Sequence, residues 1–288
     1  MTLVLISLLG MGLFLWPFSG LGLPASTPAL VLGLGTALGL LIFEMGTRRM
    51  DARSFALLAT LSAADAALRA ALVTGIAGFS PIFLLVLCGG YALGPSFGFL
   101  LGAASLLTSA LATGGLGPWV PYQLFALGWV GMAAGLAGGW RRNGRPGALD
   151  ILVLAAVGIV TGFGFGAVMD VWNWTFYAGS GQLGWTPHLT TVAAVGRFAR
   201  YYLVTSIGYD AFRAGGNALM VVLLGLPILA GLQRVGRRLH LQWPVTEPSP
   251  SSADPPDHVA ARDLVVPGLP VGVQSGPPES QEARGQVQ

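Results

Sequence analysis

Apolar residues in this chain run on in long blocks, broken by short polar stretches. They show little of the alternation or one-sided periodicity of a soluble fold. A hydrocarbon core roughly 30 Å thick needs about 20 helical residues. Blocks near that length run from Thr2 to Phe18, Pro28 to Met45, Phe55 to Thr74, Pro81 to Leu93, Phe97 to Ala112, Trp119 to Gly139, Leu149 to Asp170 and Tyr201 to Leu232. The pattern predicts an all-α integral membrane protein with about eight transmembrane helices. The fourth and fifth blocks are short, and only Gly94-Pro95-Ser96 separates them, so they read as tilted or shielded helices. The first block lacks a charged leader and reads as a retained helix. The stretch Thr190 to Arg200 is amphipathic and reads as a helix lying along the interface.

The polar breaks give the orientation. Arg48, Arg49 and Arg53 follow the second block, Arg141, Arg142 and Arg145 the sixth, and Arg234, Arg237 and Arg238 the eighth. With eight spans and a cytoplasmic N-terminus, all three clusters face the cytoplasm, as the positive-inside rule requires. The expected location is therefore the cell (plasma) membrane, multi-pass, with both termini cytoplasmic. Residues 241–288 are rich in Pro, Ser, Gly and acids and read as a disordered cytoplasmic tail.

Composition sharpens this picture. Only 9% of residues are charged and 53% are hydrophobic, against about 25% charged in soluble domains. All 15 cations are arginine. Without lysine, neither a Walker-type phosphate loop nor a Schiff-base enzyme can be built. The basic pI of about 9.4 does not mark a nucleic-acid surface, because most arginines flank hydrophobic blocks. Cys88 is the one cysteine, so no internal disulfide forms. His188, His240 and His258 lie far apart and lack metal-ligand spacing. No cofactor and no metal site is expected.

Polar residues inside the blocks are the candidates for function, because each is expensive in lipid. Asp65 and Arg69 sit one turn apart in the third block and can neutralise each other. On another face of that block, Ala59, Ala63 and Ala67 form a small-residue stripe that admits a close helix neighbour. Tyr202, Ser206, Asp210, Arg213 and Asn217 recur along one face of the eighth block. That stripe must face the protein interior or an outward-open cavity, as a hydrogen-bond network or as one wall of a pocket. Trp119, Tyr122 and Gln123 open the sixth block from outside, and Trp172 and Asn173 close the seventh after Asp170. Such aromatics form an interfacial belt or, beside polar groups, the walls of a site for a flat organic ligand. Gly98/Gly102, Gly131/Gly135 and Gly135/Gly139 read as close helix packing. Gly162-Phe-Gly-Phe-Gly166 lies inside a span and lacks the strand–turn–helix setting of a nucleotide loop.

One set of motifs carries a resemblance. Phe79-Ser-Pro-Ile-Phe83, Gly90-Tyr-Ala-Leu-Gly-Pro-Ser-Phe-Gly-Phe-Leu-Leu-Gly102, Thr113-Gly-Gly-Leu-Gly-Pro-Trp-Val-Pro-Tyr-Gln123 and Gly128-Trp-Val-Gly131 resemble the substrate-binding S components of energy-coupling factor (ECF) vitamin transporters. Asp210-Ala-Phe-Arg-Ala-Gly-Gly-Asn217 resembles that group's last helix. The similarity covers roughly Phe55 to Arg238, and the nearest branch is the one associated with cobalamin-type substrates. The resemblance implies a six-helix core over residues 55–240. Two extra N-terminal helices and an arginine-rich loop, residues 1–54, depart from the family pattern. It also implies a protein that captures a vitamin from outside and docks on a transmembrane T component coupled to cytoplasmic ATPases, with Ala59, Ala63 and Ala67 as the docking face.

The expected function is thus a transporter subunit without its own ATPase and without catalytic residues. Its substrate-binding set would be Trp119, Tyr122, Gln123, Trp172, Asn173, Tyr202, Ser206, Asp210, Arg213 and Asn217. Its partners would be the T component, the ATPase subunits, a small-molecule vitamin and the lipid bilayer, and no nucleic acid. Two other readings stay open: an intramembrane enzyme acting on a lipid-like substrate around Asp170, Asp210 and Arg213, and a non-catalytic membrane scaffold.

Overall fold

The computed structural model describes residues 2–18, 50–71, 80–139, 144–175 and 189–238, together with 35, 39, 42, 46, 177 and 183–187. Apart from residues 35, 39 and 42 the second predicted block lies outside the described residues, as do Arg48, Arg49, Arg141, Arg142, all three histidines and the tail. Every regular element among the described residues is helical. Helix α1 spans Thr2–Leu15 and closes in a short 3-10 turn, Trp16–Phe18. It is followed by α2 (Ala52–Ala71), α3 (Ile82–Leu93), α4 (Pro95–Thr113), α5 (Val120–Gly138), α6 (Ala148–Trp174), α7 (Thr191–Thr205) and α8 (Ile207–Arg238).

Five of these, α2, α4, α5, α6 and α8, are long and apolar enough to cross a bilayer. They carry exposed residues such as Leu152, Val160, Leu136 and Leu223. A water-facing surface would not keep so many large apolar side chains outward, so the chain is membrane-embedded. The described residues do not reach the eight crossings the sequence pattern predicts, because α1 and α3 are shorter apolar helices. A further difference lies in the last block. Ser206 leaves helical geometry at φ −126° and separates α7 from α8, so Tyr202 sits on the shorter helix and Asp210 on the long one.

Helix α3 explains the shortness of the fourth block. All of its residues from Ile82 to Leu93 are buried, so it needs no reach to either surface. It is the centre around which α2, α4, α5, α6 and α8 pack. Gly94 ends it at φ 106°, a conformation that L side chains rarely adopt. Its N–H bonds to the Gly90 carbonyl at 2.8 Å, and Pro95 then opens α4 at once, where a missing N–H costs nothing.

Glycine sets how closely α3, α4 and α5 approach. A Cβ on Gly90 or Gly98 would strike the Gly131 carbonyl, one on Gly131 would strike Gly98, and one on Gly138 would strike the Tyr91 carbonyl. The Gly98/Gly102 and Gly131/Gly135 pairs therefore work as the sequence predicts. Gly139 meets only its own helix, and Gly138 takes its place in the seam.

The two ends of the bundle differ. At one end the Tyr91 hydroxyl donates to Asp150 Oδ1 at 2.9 Å. Asp150 Oδ2 accepts from the Gly147 N–H at 2.8 Å and caps α6. A Cβ on Gly236 of α8 would touch Leu93 there. This places Arg145 and the Arg234, Arg237 and Arg238 group at the same end. Helix α1 joins the core as well: Ile6 and Phe14 are buried, and Trp129 donates to Ser7 Oγ at 3.2 Å.

Candidate functional site

At the end of the bundle opposite those arginines, α6 and α8 cross with almost no side chain between them on the α6 side. Gly158, Gly162 and Gly166 recur every four residues on one face of α6. A Cβ on Gly162 would press on the Ala214 backbone, and one on Gly166 would fall into the Asp210 carboxylate. The room left by these glycines is filled by polar side chains of α8. Asn217 is buried and donates to the Gly158 carbonyl at 3.4 Å. Arg213 donates to the Gly162 carbonyl at 3.4 Å.

Asp210 is the hub of this seam. It is 1% exposed, forms an ion pair with Arg213 one turn on and accepts from the Tyr202 hydroxyl at 2.9 Å. The Arg213 guanidinium also lies over the Phe165 ring, 5.3 Å from its centroid. A buried carboxylate is tolerable only when paired and hydrogen-bonded, and Asp210 has both kinds of partner.

Asp170 lies beside it on α6, within the field of Asp210 and Arg213 and next to Ser206 and Asn173. It is buried, yet its Oδ2 has no hydrogen-bond partner. Arg213 is thus paired with Asp210 and acts on Asp170 only through its charge, and one Asp170 oxygen is left without a donor.

An aromatic cluster adjoins this polar group through Tyr202. Phe198 of α7 packs on Trp174 at 5.3 Å and on Tyr202 at 6.5 Å, and Tyr177 meets Tyr201 at 5.0 Å. Phe18 packs on Trp174 at 6.1 Å and Trp185 at 5.6 Å. Trp174 is fixed by donating to the Leu183 carbonyl at 2.7 Å. A second ring cluster joins Tyr122 to Trp172 and to Phe14, each at 5.1 Å.

The structure therefore brings Tyr202, Ser206, Asp210 and Arg213 into one cluster, with Asn217 two turns deeper in the same seam. Tyr122 and Trp172 pair beside it, and Asn173 is exposed next to Asp170. Trp119 is 40% exposed at the start of α5, with its ring against Gly117. Gln123 is half-buried one turn on. Among the described residues no contact ties Trp119 or Gln123 to the polar cluster. Ala59, Ala63 and Ala67 are all exposed on α2.

The substrate-binding set predicted from sequence leaves out Asp170, the Gly158/Gly162/Gly166 stripe, Phe165 and the ring contributions of Phe14, Phe18 and Phe198. The four-residue spacing of the glycines was visible within the run set aside as a false nucleotide loop. The part played by Phe14 and Phe18 rests on a contact between distant segments, for which the sequence carries no local signal. A groove of about 460 Å³ lies along α7, lined by Val192, Ala193, Gly196, Arg197 and Arg200. None of these belongs to the predicted set.

No family model, no curated protein and no solved structure matches the chain.

Proposed function

We propose that this protein is a substrate-capture subunit of a membrane uptake system, of the S-component type that its motifs resemble. In this reading it binds a vitamin, cobalamin or a precursor of it, from the outer face of the cell membrane. The arginine end faces the cytoplasm, together with both termini. Docking on a T component and its ATPases supplies the energy that a chain without a phosphate loop does not.

The observation that carries the reading is Asp170. Its unpartnered oxygen lies in the field of the Asp210–Arg213 pair, which the Trp174, Phe198 and Tyr202 rings adjoin through the Tyr202 hydroxyl. Rings over a few polar groups form the kind of site that holds a flat organic molecule and fixes its orientation. A donor from such a ligand would satisfy Asp170. An enzyme would instead need a nucleophile with a base, or paired carboxylates set around a reacting atom. Here Asp210 is committed to Arg213 and Tyr202, which favours binding over chemistry.

The test is equilibrium binding to the purified, detergent-solubilised protein alone, with a vitamin panel that includes cobalamin and its precursors. Tight binding of one vitamin without ATP is expected. Both Asp210→Ala and Phe198→Ala should weaken it, by about tenfold or more for the buried aspartate. Phe198 is half-buried and packs on Trp174 and Tyr202, so its variant keeps the test informative if loss of Asp210 disturbs folding. A folded protein that binds nothing across the panel overturns the reading in favour of a scaffold or a lipid-directed enzyme.

A further inference from the structure

A second group of buried polar atoms lies away from the seam just described, where α2, α3 and α4 meet. Asp65 of α2 is 0% exposed, and neither of its carboxylate oxygens has a hydrogen-bond partner. The Ser105 hydroxyl of α4 is the donor that approaches the carboxylate across the helix contact, short of full hydrogen-bonding geometry, and the Cys88 thiol of α3 lies within its field. Ser62 stands one turn before Asp65 on the buried face of α2, and Ser109 one turn after Ser105 on α4. All three serines are buried, and all three hydroxyl oxygens lack hydrogen-bond partners.

Buried polar groups in folded proteins are nearly always satisfied. An isolated buried carboxylate is among the costliest groups to leave alone, more so at membrane depth. Arg69, one turn further along α2 and half-buried, acts on the carboxylate through its charge alone and makes no hydrogen bond to it, so the oxygens stay without a ligand. What remains is a column of hard oxygen donors, anionic at one point only, enclosed on three sides by helices.

We propose that Asp65 and Ser105, flanked by Ser62 and Ser109, form an intramembrane binding site for a small monovalent cation of the sodium type. Hard oxygen ligands select hard cations. With one carboxylate and the Arg69 charge a turn away, the site has room for no more than a single further positive charge. A divalent ion would demand more anionic oxygens, or several retained waters, than this dry seam offers. Bound there, the ion ties α2 to α4 and satisfies oxygens that otherwise have no partner. The site is independent of the outer polar cluster and does not rest on the identity of the transported molecule.

The test is the thermal unfolding of the full chain in detergent as sodium chloride replaces choline chloride at constant ionic strength and pH. Lithium and potassium serve as comparators, and equilibrium binding of radioactive sodium reads the site directly. The expected result is a saturable rise in Tm with sodium, with one sodium bound per chain. Asp65→Asn should abolish both responses, and Ser105→Ala should raise the sodium Kd by about tenfold, the loss of roughly one good ligand contact. Ser105→Ala and the wild-type titration decide the matter even if Asp65→Asn does not fold. A Tm indifferent to sodium overturns the proposal. So does a sodium response that survives in Asp65→Asn, or a Tm that follows pH alone, which would assign the carboxyl a proton in place of a metal ion.

Discussion

Whether a charged residue persists in this chain depends on its partners more than on its position. Asp210 is held by Arg213 and Tyr202, and Asp150 by Tyr91 and the Gly147 N–H. Asp51 plays a smaller part in water, just ahead of α2. Its Oδ1 accepts from the Ser54 N–H at 3.0 Å, closing the first turn of the helix. Hydrogen bonding from Ser54, first from its side chain and then from its backbone, holds the Asp51 carboxyl below its ordinary value of 3.8. A depressed folded-state pKa means the cap is fully effective above that value and is lost as pH falls below it. Amide exchange at Ser54 and Phe55, corrected for the intrinsic pH effect, should therefore show less protection in the acid range. Asp51→Ala should remove that pH dependence, and a pH-independent protection in the parent chain would deny the cap. Asp51 itself was not singled out by the sequence reading, which took the stretch only as an arginine loop. The spacing of Asp65 and Arg69 predicts mutual neutralisation, and each does lie in the other's field, but Asp65 has no hydrogen bond from Arg69. Spacing along a helix permits such a bond without requiring it, because rotamers and neighbouring helices decide where each side chain goes.

At the scale of elements, the glycines show what sequence spacing can and cannot tell. The run Gly162-Phe-Gly-Phe-Gly166 contains three glycines in one span, but only the first and last face α8. Gly164 has nothing near it. Gly162→Ala and Gly166→Ala should each destabilise the fold by about 1–3 kcal/mol, as overpacking does. Gly164→Ala should be neutral or slightly stabilising, since alanine is the better helix former. Tm values of the three variants in one detergent check this, and a loss for Gly164→Ala as large as the others would contradict the described packing. The helix blocks themselves were legible, because length and apolarity are properties of a segment alone. The break at Ser206 was less so. A polar stripe from Tyr202 to Asn217 continues at helical spacing through the break, so periodicity does not register that α7 and α8 are separate helices. Only the tertiary position of Tyr202, reaching Asp210 from the shorter helix, makes the distinction visible.

For the molecule as a whole, the described helices fall into two kinds by what surrounds them. Helix α3 is enclosed on every side, whereas α2 buries Ser54, Leu58, Ser62, Asp65 and Ala66, half-buries Leu57, Leu61 and Arg69 and exposes the rest. Its exposed face carries Ala59, Ala63 and Ala67 with Phe55 and Leu68 beside them. Helical spacing alone separates those two faces, and the motif resemblance leaves the first block outside the six-helix core. Helix α1 nevertheless buries Ile6 and Phe14 in the common core, because its partners on α5 lie more than a hundred residues away in the chain, beyond the reach of local pattern. An exposed smooth face on a membrane helix lets a second helix approach closely, and small residues are what that approach requires. If the proposed transport function holds, this face meets the T component, and bulk placed there should block docking without reaching the outer site. Ala63→Leu should then reduce co-purification with a T component and its ATPases by about tenfold, a loss of the size expected for disrupting the centre of an interface. Vitamin binding by the isolated subunit should stay within error of the parent. Unimpaired assembly by the variant would move the docking face elsewhere. Loss of vitamin binding along with assembly would mean that α2 transmits to the outer end.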